Sequence, residues 1–194
     1  SQPADPYVWL EDVHGTKPLD WVKDQNKKSL GVLKSDPRYS ANYDSILEVL
    51  DATDRIPSGS LSHGFVYNFW QDAKNPKGLW RRTTIADYQH PAPNWELLLD
   101  VDALAKSEKE NWVFKGAECS PGEIRCLIRL SRGGGDAIVI REYDLKGKYL
   151  AQDGFAMPEA KTDASYLDDD TVLFEPWHSG LARCRCARQR CRSG

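Results

Sequence analysis

The residues that could do chemistry in this chain are few, and each must be weighed against the geometry its reaction needs. Ser62-His63 pairs a hydroxyl with an imidazole, the makings of an activated nucleophile. Adjacent residues in an extended loop point their side chains apart, so a surface loop is expected there. A hydrolase nucleophile sits on a sharp strand-to-helix elbow written G-x-S-x-G, whose glycines let the backbone turn tightly enough to expose the hydroxyl. No serine in the sequence has that setting; Ser62 comes nearest, with Ser60 before it and Gly64 after it. Gly133-Gly134-Gly135 would cradle a phosphate only at the start of a helix. The strand-like Ala137-Ile138-Val139-Ile140 follows instead, which makes the glycines a hairpin turn. Asp168-Asp169-Asp170 lacks the glycine and distal glutamate of a calcium loop and reads as a turn.

Metal ligation fares no better. His14 and His90 stand in loops without cysteine or carboxylate partners at ligand spacing. Cys119 and Cys126 flank a turn and read as buried or half-buried free thiols rather than a zinc site. His178, Cys184, Cys186 and Cys191 have a metal-like spelling, but C-x-C does not match the C-x₂₋₄-C pairs that zinc prefers. The rings Tyr67, Phe69, Trp70, Trp80 and Trp95 could line a peptide groove; packing between sheets is the plainer use. The expectation is therefore no catalytic, cofactor-binding or metal-binding residue within the 194 residues, and no cofactor.

The elements that must hold these residues come from the patterning. Hydrophobic residues make up 40% and charged residues 28%, enough for a packed core. Seven Trp, eight Tyr and five Phe favour a β-rich chain. The net charge is −3, yet five arginines and no acidic residue fall in 177–194, so residues 1–176 carry −8. An acidic body implies neither a nucleic-acid partner nor an anionic membrane surface. No apolar run reaches the ~20 residues needed to span a bilayer, and the start is not a signal peptide, so a cytoplasmic location is expected.

Residues 1–54 read as an extended and helical arm. Asp5 to Asp12 is an extended leading segment. Thr16 caps a helix with Pro18 in its first turn, and Leu19, Val22, Leu30 and Leu33 form its stripe. A second helix runs from Ala41 to about Leu50, with Tyr43, Ile46, Leu47 and Leu50 spaced i, i+3, i+4, i+7. From Ile56 the helical period disappears. Strands are expected at Phe65–Trp70, Leu79–Ile85 and Trp95–Leu99, then, after a connector at Val101–Glu110, from Trp112, at Arg125–Ser131, Ala137–Asp144 and Tyr149–Leu150. Ser165–Leu167 and Thr171–Phe174 open a third set. Sets recurring at roughly the 40–45 residues of a four-stranded blade favour an up-and-down propeller, with a sandwich as the other solution.

Several stretches resemble one family in the right order. Asp5-Pro6-Tyr7, Trp9-Leu10-Glu11, Trp21-Val22 and Gln25-Asn26 are similar to the N-terminal arm of the prolyl oligopeptidases. Tyr67 to Asp72, Gly78 to Thr84, Trp95 to Asp102 and Leu130 to Asp136 resemble a bacterial branch of that family. The resemblance implies a β-propeller set over an α/β-hydrolase domain. The propeller admits short peptides and excludes folded proteins. A Ser-Asp-His triad in the C-terminal domain, beyond position 194, cuts after proline in many members. The fold class expected here is mainly β with a helical arm: an incomplete propeller of about two blades and the start of a third, spanning 55–176. Its partners would be its own C-terminal α/β-hydrolase domain and short peptide substrates, and the chain alone would be inactive.

The resemblance stops after Phe174, in mid-strand, where the composition flips to Arg and Cys. Residues 177–194 are therefore expected to be unrelated to the family and disordered, and the chain from about Glu175 onward to be the product of a shifted reading frame. The rival reading is a stand-alone module that holds a peptide by strand addition at an open sheet edge. The arm argues against it, because it has nothing to pack on without a hydrolase domain.

Overall fold

The structure, a computed structural model, describes residues 5–52 and 56–174 together with the backbone of 182–185. It divides into two compact units, 1–55 and 56–194.

In the first unit, Val8–Glu11 forms a 3₁₀ turn where the sequence suggested extended chain. Trp9 explains the difference. Its ring meets Trp21 edge-on at 6.2 Å and carries the Lys17 ammonium at 4.5 Å, which folds the segment back on the helix that follows. Helix α1 spans Thr16–Lys34 and is N-capped by Gly15, so Thr16 opens the helix rather than capping it. Helix α2 spans Tyr39–Leu50. The apolar stripes are as expected, and their members Leu19, Val22, Leu30, Leu33, Ile46 and Leu50 are all exposed.

The second unit is three antiparallel sheets in sequence order. The first contains β1 (Ser60–Ser62), β2 (Phe65–Trp70), β3 (Leu79–Thr84) and β4 (Glu96–Asp100), paired in that order. A one-turn helix α3 (Ile85–Tyr88) separates β3 from β4, with Thr84 Oγ1 accepting from Asp87 N. At the β2–β3 turn Gly78 has φ +100°, and a Cβ there would collide with the Phe69 ring. Only glycine fits both demands.

The connector expected at Val101–Glu110 is mostly a helix. Helix α4 (Val101–Glu108) starts at Asp100, whose carboxylate accepts from Ala103 N, and ends at Lys109 in the left-handed region. Asp102 at its start accepts from the backbone N–H groups of Lys77 and Gly78 at 3.0 and 3.2 Å, fixing it to the β2–β3 turn.

The second sheet contains β5 (Trp112–Cys119), β6 (Arg125–Arg132), β7 (Ile138–Asp144), β8 (Tyr149–Leu150) and β9 (Ala156–Ala160). Both β8 and β9 pair with β7, one with each end of it, so the sheet has four positions with the outermost one divided. The third sheet contains β10 (Ala164–Asp168), β11 (Thr171–Phe174) and β12 (Ala182–Arg185). Strand β12 lies in the stretch expected to be disordered, where it pairs with β11 from Thr171 to Phe174. The rest of that stretch, and the metal-like His178, Cys186 and Cys191 within it, lie outside the described residues.

Each sheet packs face to face on the next. One core joins the first two: Tyr67, Trp80, Leu98 and Leu99 from the first, α4 through Val101 and Ala105, and Cys126, Ile128, Leu130 and Tyr143 from the second. A smaller core of Leu127, Ile140, Phe155, Ala164 and Val172 joins the second to the third. Residues 127 and 128 point to opposite faces of β6, so one strand serves both cores. Two successive four-position sheets and a three-stranded third, packed one on the next and not closed into a ring, are blades of an incomplete β-propeller. Among the described residues no helix is long and apolar enough to cross a membrane.

Candidate functional site

The residues with chemical potential gather where the blades meet. Ser62, His63 and Gly64 form the β1–β2 turn, with φ +43° at His63 and +82° at Gly64. Two left-handed residues in a two-residue loop match the right-handed twist of the strands. That turn overturns the expectation that Ser62 and His63 point apart, because Ser62 Oγ lies 3.0 Å from His63 Nδ1. The carboxylate of Glu123, from the second blade, lies 3.3 Å from the same Nδ1.

A hydroxyl, an imidazole and a carboxylate in a row invite a triad reading, and the geometry argues against it. A relay uses both ring nitrogens: one takes the serine proton while the other, protonated, holds the acid. Here both partners crowd Nδ1. Ser62 also ends β1 and leads through a turn into β2, not into a helix whose first N–H groups could serve as oxyanion donors. The cluster reads as a contact between blades.

The charges around it are satisfied by one another. Arg82 Nε donates to Glu96 at 2.7 Å, Arg82 Nη1 to the Tyr67 hydroxyl at 3.1 Å, and Lys148 Nζ to Glu96 at 2.7 Å. Burial opposes the charge on Arg82, but the bonds to Glu96 and Tyr67 outweigh it and raise its pKa. Burial likewise opposes ionisation of Glu96, and the bonds from Lys148 and Arg82 outweigh that and hold its carboxyl below the ordinary range. Tyr67 is pushed up chiefly by burial. Tyr143, in the middle of the joint core, is also pushed up by burial, and its hydroxyl donates to Leu98 O of the first blade.

On the other side of the second blade Arg129 plays the matching part. Its guanidinium donates to Glu118 at 2.9 Å, Asp163 at 2.8 Å and Ala164 O at 2.7 Å, holding the third blade. A cleft of about 650 Å³ beside β8 is lined by Arg125, Glu142, Asp144 and Asp153. Glu142 is already engaged there: its carboxylate lies 3.0 Å from Arg125 Nε and accepts from Phe155 N at 2.7 Å.

The other sequence candidates resolve as follows. Gly133 and Gly134 sit in the β6–β7 hairpin turn at φ +63° and +86°. Asp169 lies in the β10–β11 turn and accepts from Gly122 N at 2.6 Å. Tyr67 and Trp80 are core, and Phe69 stacks on Phe114 at 4.6 Å across the blades. Trp70 and Trp95 are half-buried on the opposite face and sandwich Arg81 at 4.7 and 4.3 Å. The free-thiol reading of Cys119 and Cys126 is corrected: they are register partners on β5 and β6 and are joined as a disulfide. Glu123 and Arg129, the residues that bridge blades, drew no attention in the sequence, because nothing local marks a charge whose partner lies on another sheet.

Strand order, blade size and inter-blade packing define a propeller scaffold. The model of the prolyl oligopeptidase N-terminal β-propeller domain matches residues 1–178, and the chain belongs to the prolyl oligopeptidase family. An uncharacterized peptidase of Sinorhizobium fredii, y4nA, is 43% identical over 180 residues, covering 91% of this chain and 25% of its own. The post-proline cleaving enzyme of Rickettsia typhi is 34% identical with a TM-score of 0.69, over 86% of this chain and 25% of that one. Oligopeptidase B of Leishmania major shares the fold at 11% identity and a TM-score of 0.62, over 88% and 24% of the two chains. The chain thus spans a quarter of the length of the relatives it matches, and it is the N-terminal propeller region of a prolyl oligopeptidase-type peptidase.

Proposed function

We propose that this chain supplies the arm (1–54) and the first blades (55–176) of a cytoplasmic serine endopeptidase that hydrolyses short peptides, often after proline. Residues 177–194 stand outside that function. The catalytic serine, activated by a histidine, would belong to an α/β-hydrolase domain that is the natural partner of the arm, with exposed Leu19, Val22, Leu30 and Leu33 as the surface it would cover. The propeller region would act as a filter in front of that domain. The observation that carries the reading is the shared core of Tyr67, Trp80, Leu98 and Tyr143, which locks two blades side by side as a propeller wall requires.

The test is a chimera. Residues 5–174 replace the matching quarter of the Rickettsia typhi enzyme, and cleavage of a prolyl peptide is measured beside a thermal melt. A folded chimera that retains cleavage supports the reading. A chimera that melts cooperatively at the parent's temperature and yet cleaves nothing contradicts it.

A further inference from the structure

The turn between β5 and β6, residues 120–124, reaches both neighbouring blades. Toward the first, the Glu123 carboxylate lies 3.3 Å from His63 Nδ1 and 4.0 Å from Arg82 Nη1. Toward the third, Gly122 N donates to Asp169 at 2.6 Å, and the approach is so close that a Cβ on Gly122 would meet the Asp169 carboxylate at 2.5 Å. Inside the turn, Ser120 N donates to Arg125 O and Glu123 N to Ser120 O, both at 2.8 Å, and Glu123 sits at φ +51°. The neck of this turn is the Cys119–Cys126 disulfide. Cys126 is fully buried in the joint core, whereas Cys119 packs against that core and is only partly buried, so the Cys119 side is the less covered face of the bridge.

From this geometry we infer that Cys119–Cys126 is a thiol–disulfide exchange site whose state sets how firmly the second blade holds the first and the third. The reactant is a small thiol. Its thiolate attacks Cys119 Sγ, the bond to Cys126 breaks, and Cys126 leaves with the electron pair and takes up a proton. A second thiolate attacks the sulfur of the small thiol in the mixed disulfide, releasing Cys119 as a thiolate that is then protonated. Two small thiols are oxidised to one small disulfide and the protein bridge is reduced to two thiols; a small disulfide reverses the sequence. Without the bridge the turn keeps its hydrogen bonds but loses the constraint at its neck. Glu123 and Gly122 are then presented to their partners for a smaller fraction of the time.

The test uses the full chain with Cys184, Cys186 and Cys191 changed to Ser, so that only the pair responds. Alkylation followed by mass spectrometry should leave Cys119 and Cys126 unmodified in the air-purified protein and modify both after dithiothreitol. Backbone hydrogen exchange at residues 120, 122–124, 63–64 and 169–170 should then rise at least about tenfold, within what closing so short a loop can impose. Leu127 to Leu130 in mid-strand should change little, and glutathione disulfide should restore the slow rates. Cys119→Ser with Cys126→Ser should exchange fast with or without reductant; if that variant does not fold, the reversible arm decides alone. Thiols that are alkylated before any reductant, a bridge that resists dithiothreitol in the folded chain, or turn amides indifferent to reduction would each overturn the inference.

Discussion

Replacing Trp80 by Ala should loosen two blades at once. Trp80 is 5% exposed and stands between the first and second sheets, stacked near Tyr67 at 5.9 Å and Phe114 at 6.2 Å and edge-on to Tyr143 at 5.5 Å. A ring of this size buries about 200 Å², worth roughly 5 kcal/mol at about 25 cal/mol per Å². Allowing for the residual burial of a compact unfolded chain brings this to about 3–4 kcal/mol, within the range measured when large aromatic residues are truncated in cores. With a urea slope of about 2 kcal/mol per molar, the midpoint should fall by about 1.5–2 M. The assay is urea unfolding followed by far-ultraviolet circular dichroism, paired with hydrogen exchange resolved to β2, β3, β6 and β7. Exchange should accelerate in both sheets. A midpoint shift below about 0.5 M, or acceleration confined to the first sheet, would refute the view that one core locks the two blades.

Two further predictions concern the charged bridges. Arg129→Met removes the partner shared by Glu118, Asp163 and Ala164 O and, with both carboxylates open to water, should cost about 1–2 kcal/mol, read as faster exchange in β10 and β11 with β2 and β3 unchanged. Glu96 has a folded pKa below the ordinary glutamate value of 4.5, so its contribution is present above that pH and is lost as the pH falls through the depressed value. An acid titration of stability below about pH 5 should therefore be steeper for the wild type than for Glu96→Gln. Asp36, Asp72 and Glu110 are lowered as well, so the variant flattens only part of the slope.

Much of this architecture was legible because the strands announce themselves. Phe65–Trp70 and Thr171–Phe174 fall where the apolar and aromatic runs put them. Helix α4 reads as a connector in the sequence although its signals are present: the Asp100 cap, then Val101, Leu104 and Ala105 on one stripe. Eight residues are too few for the periodicity to stand out. Strand β9 carries Pro158 and Glu159 and pairs only with one end of β7, so it lacks the alternation that marks a strand. The disulfide was out of reach for a sharper reason. Whether Cys119 faces Cys126 depends on strand register, and the β5–β6 ladder carries an irregularity between Phe114 and Gly116. A slip of one residue would send the two thiols to opposite faces. Ser62 and His63 meet because the turn puts His63 at positive φ, which the assumption of an extended loop did not allow.

We propose that the described residues of this chain are scaffold and hold no working nucleophile. It is tested most directly by incubating the purified chain with a serine-directed phosphonate and, separately, with a prolyl peptide substrate. Intact-mass measurement should find no adduct, and turnover should not exceed that of buffer. A stoichiometric adduct that maps to Ser62, or hydrolysis that disappears in Ser62→Ala, would show that the Ser62–His63–Glu123 contact is an active site and would contradict the account.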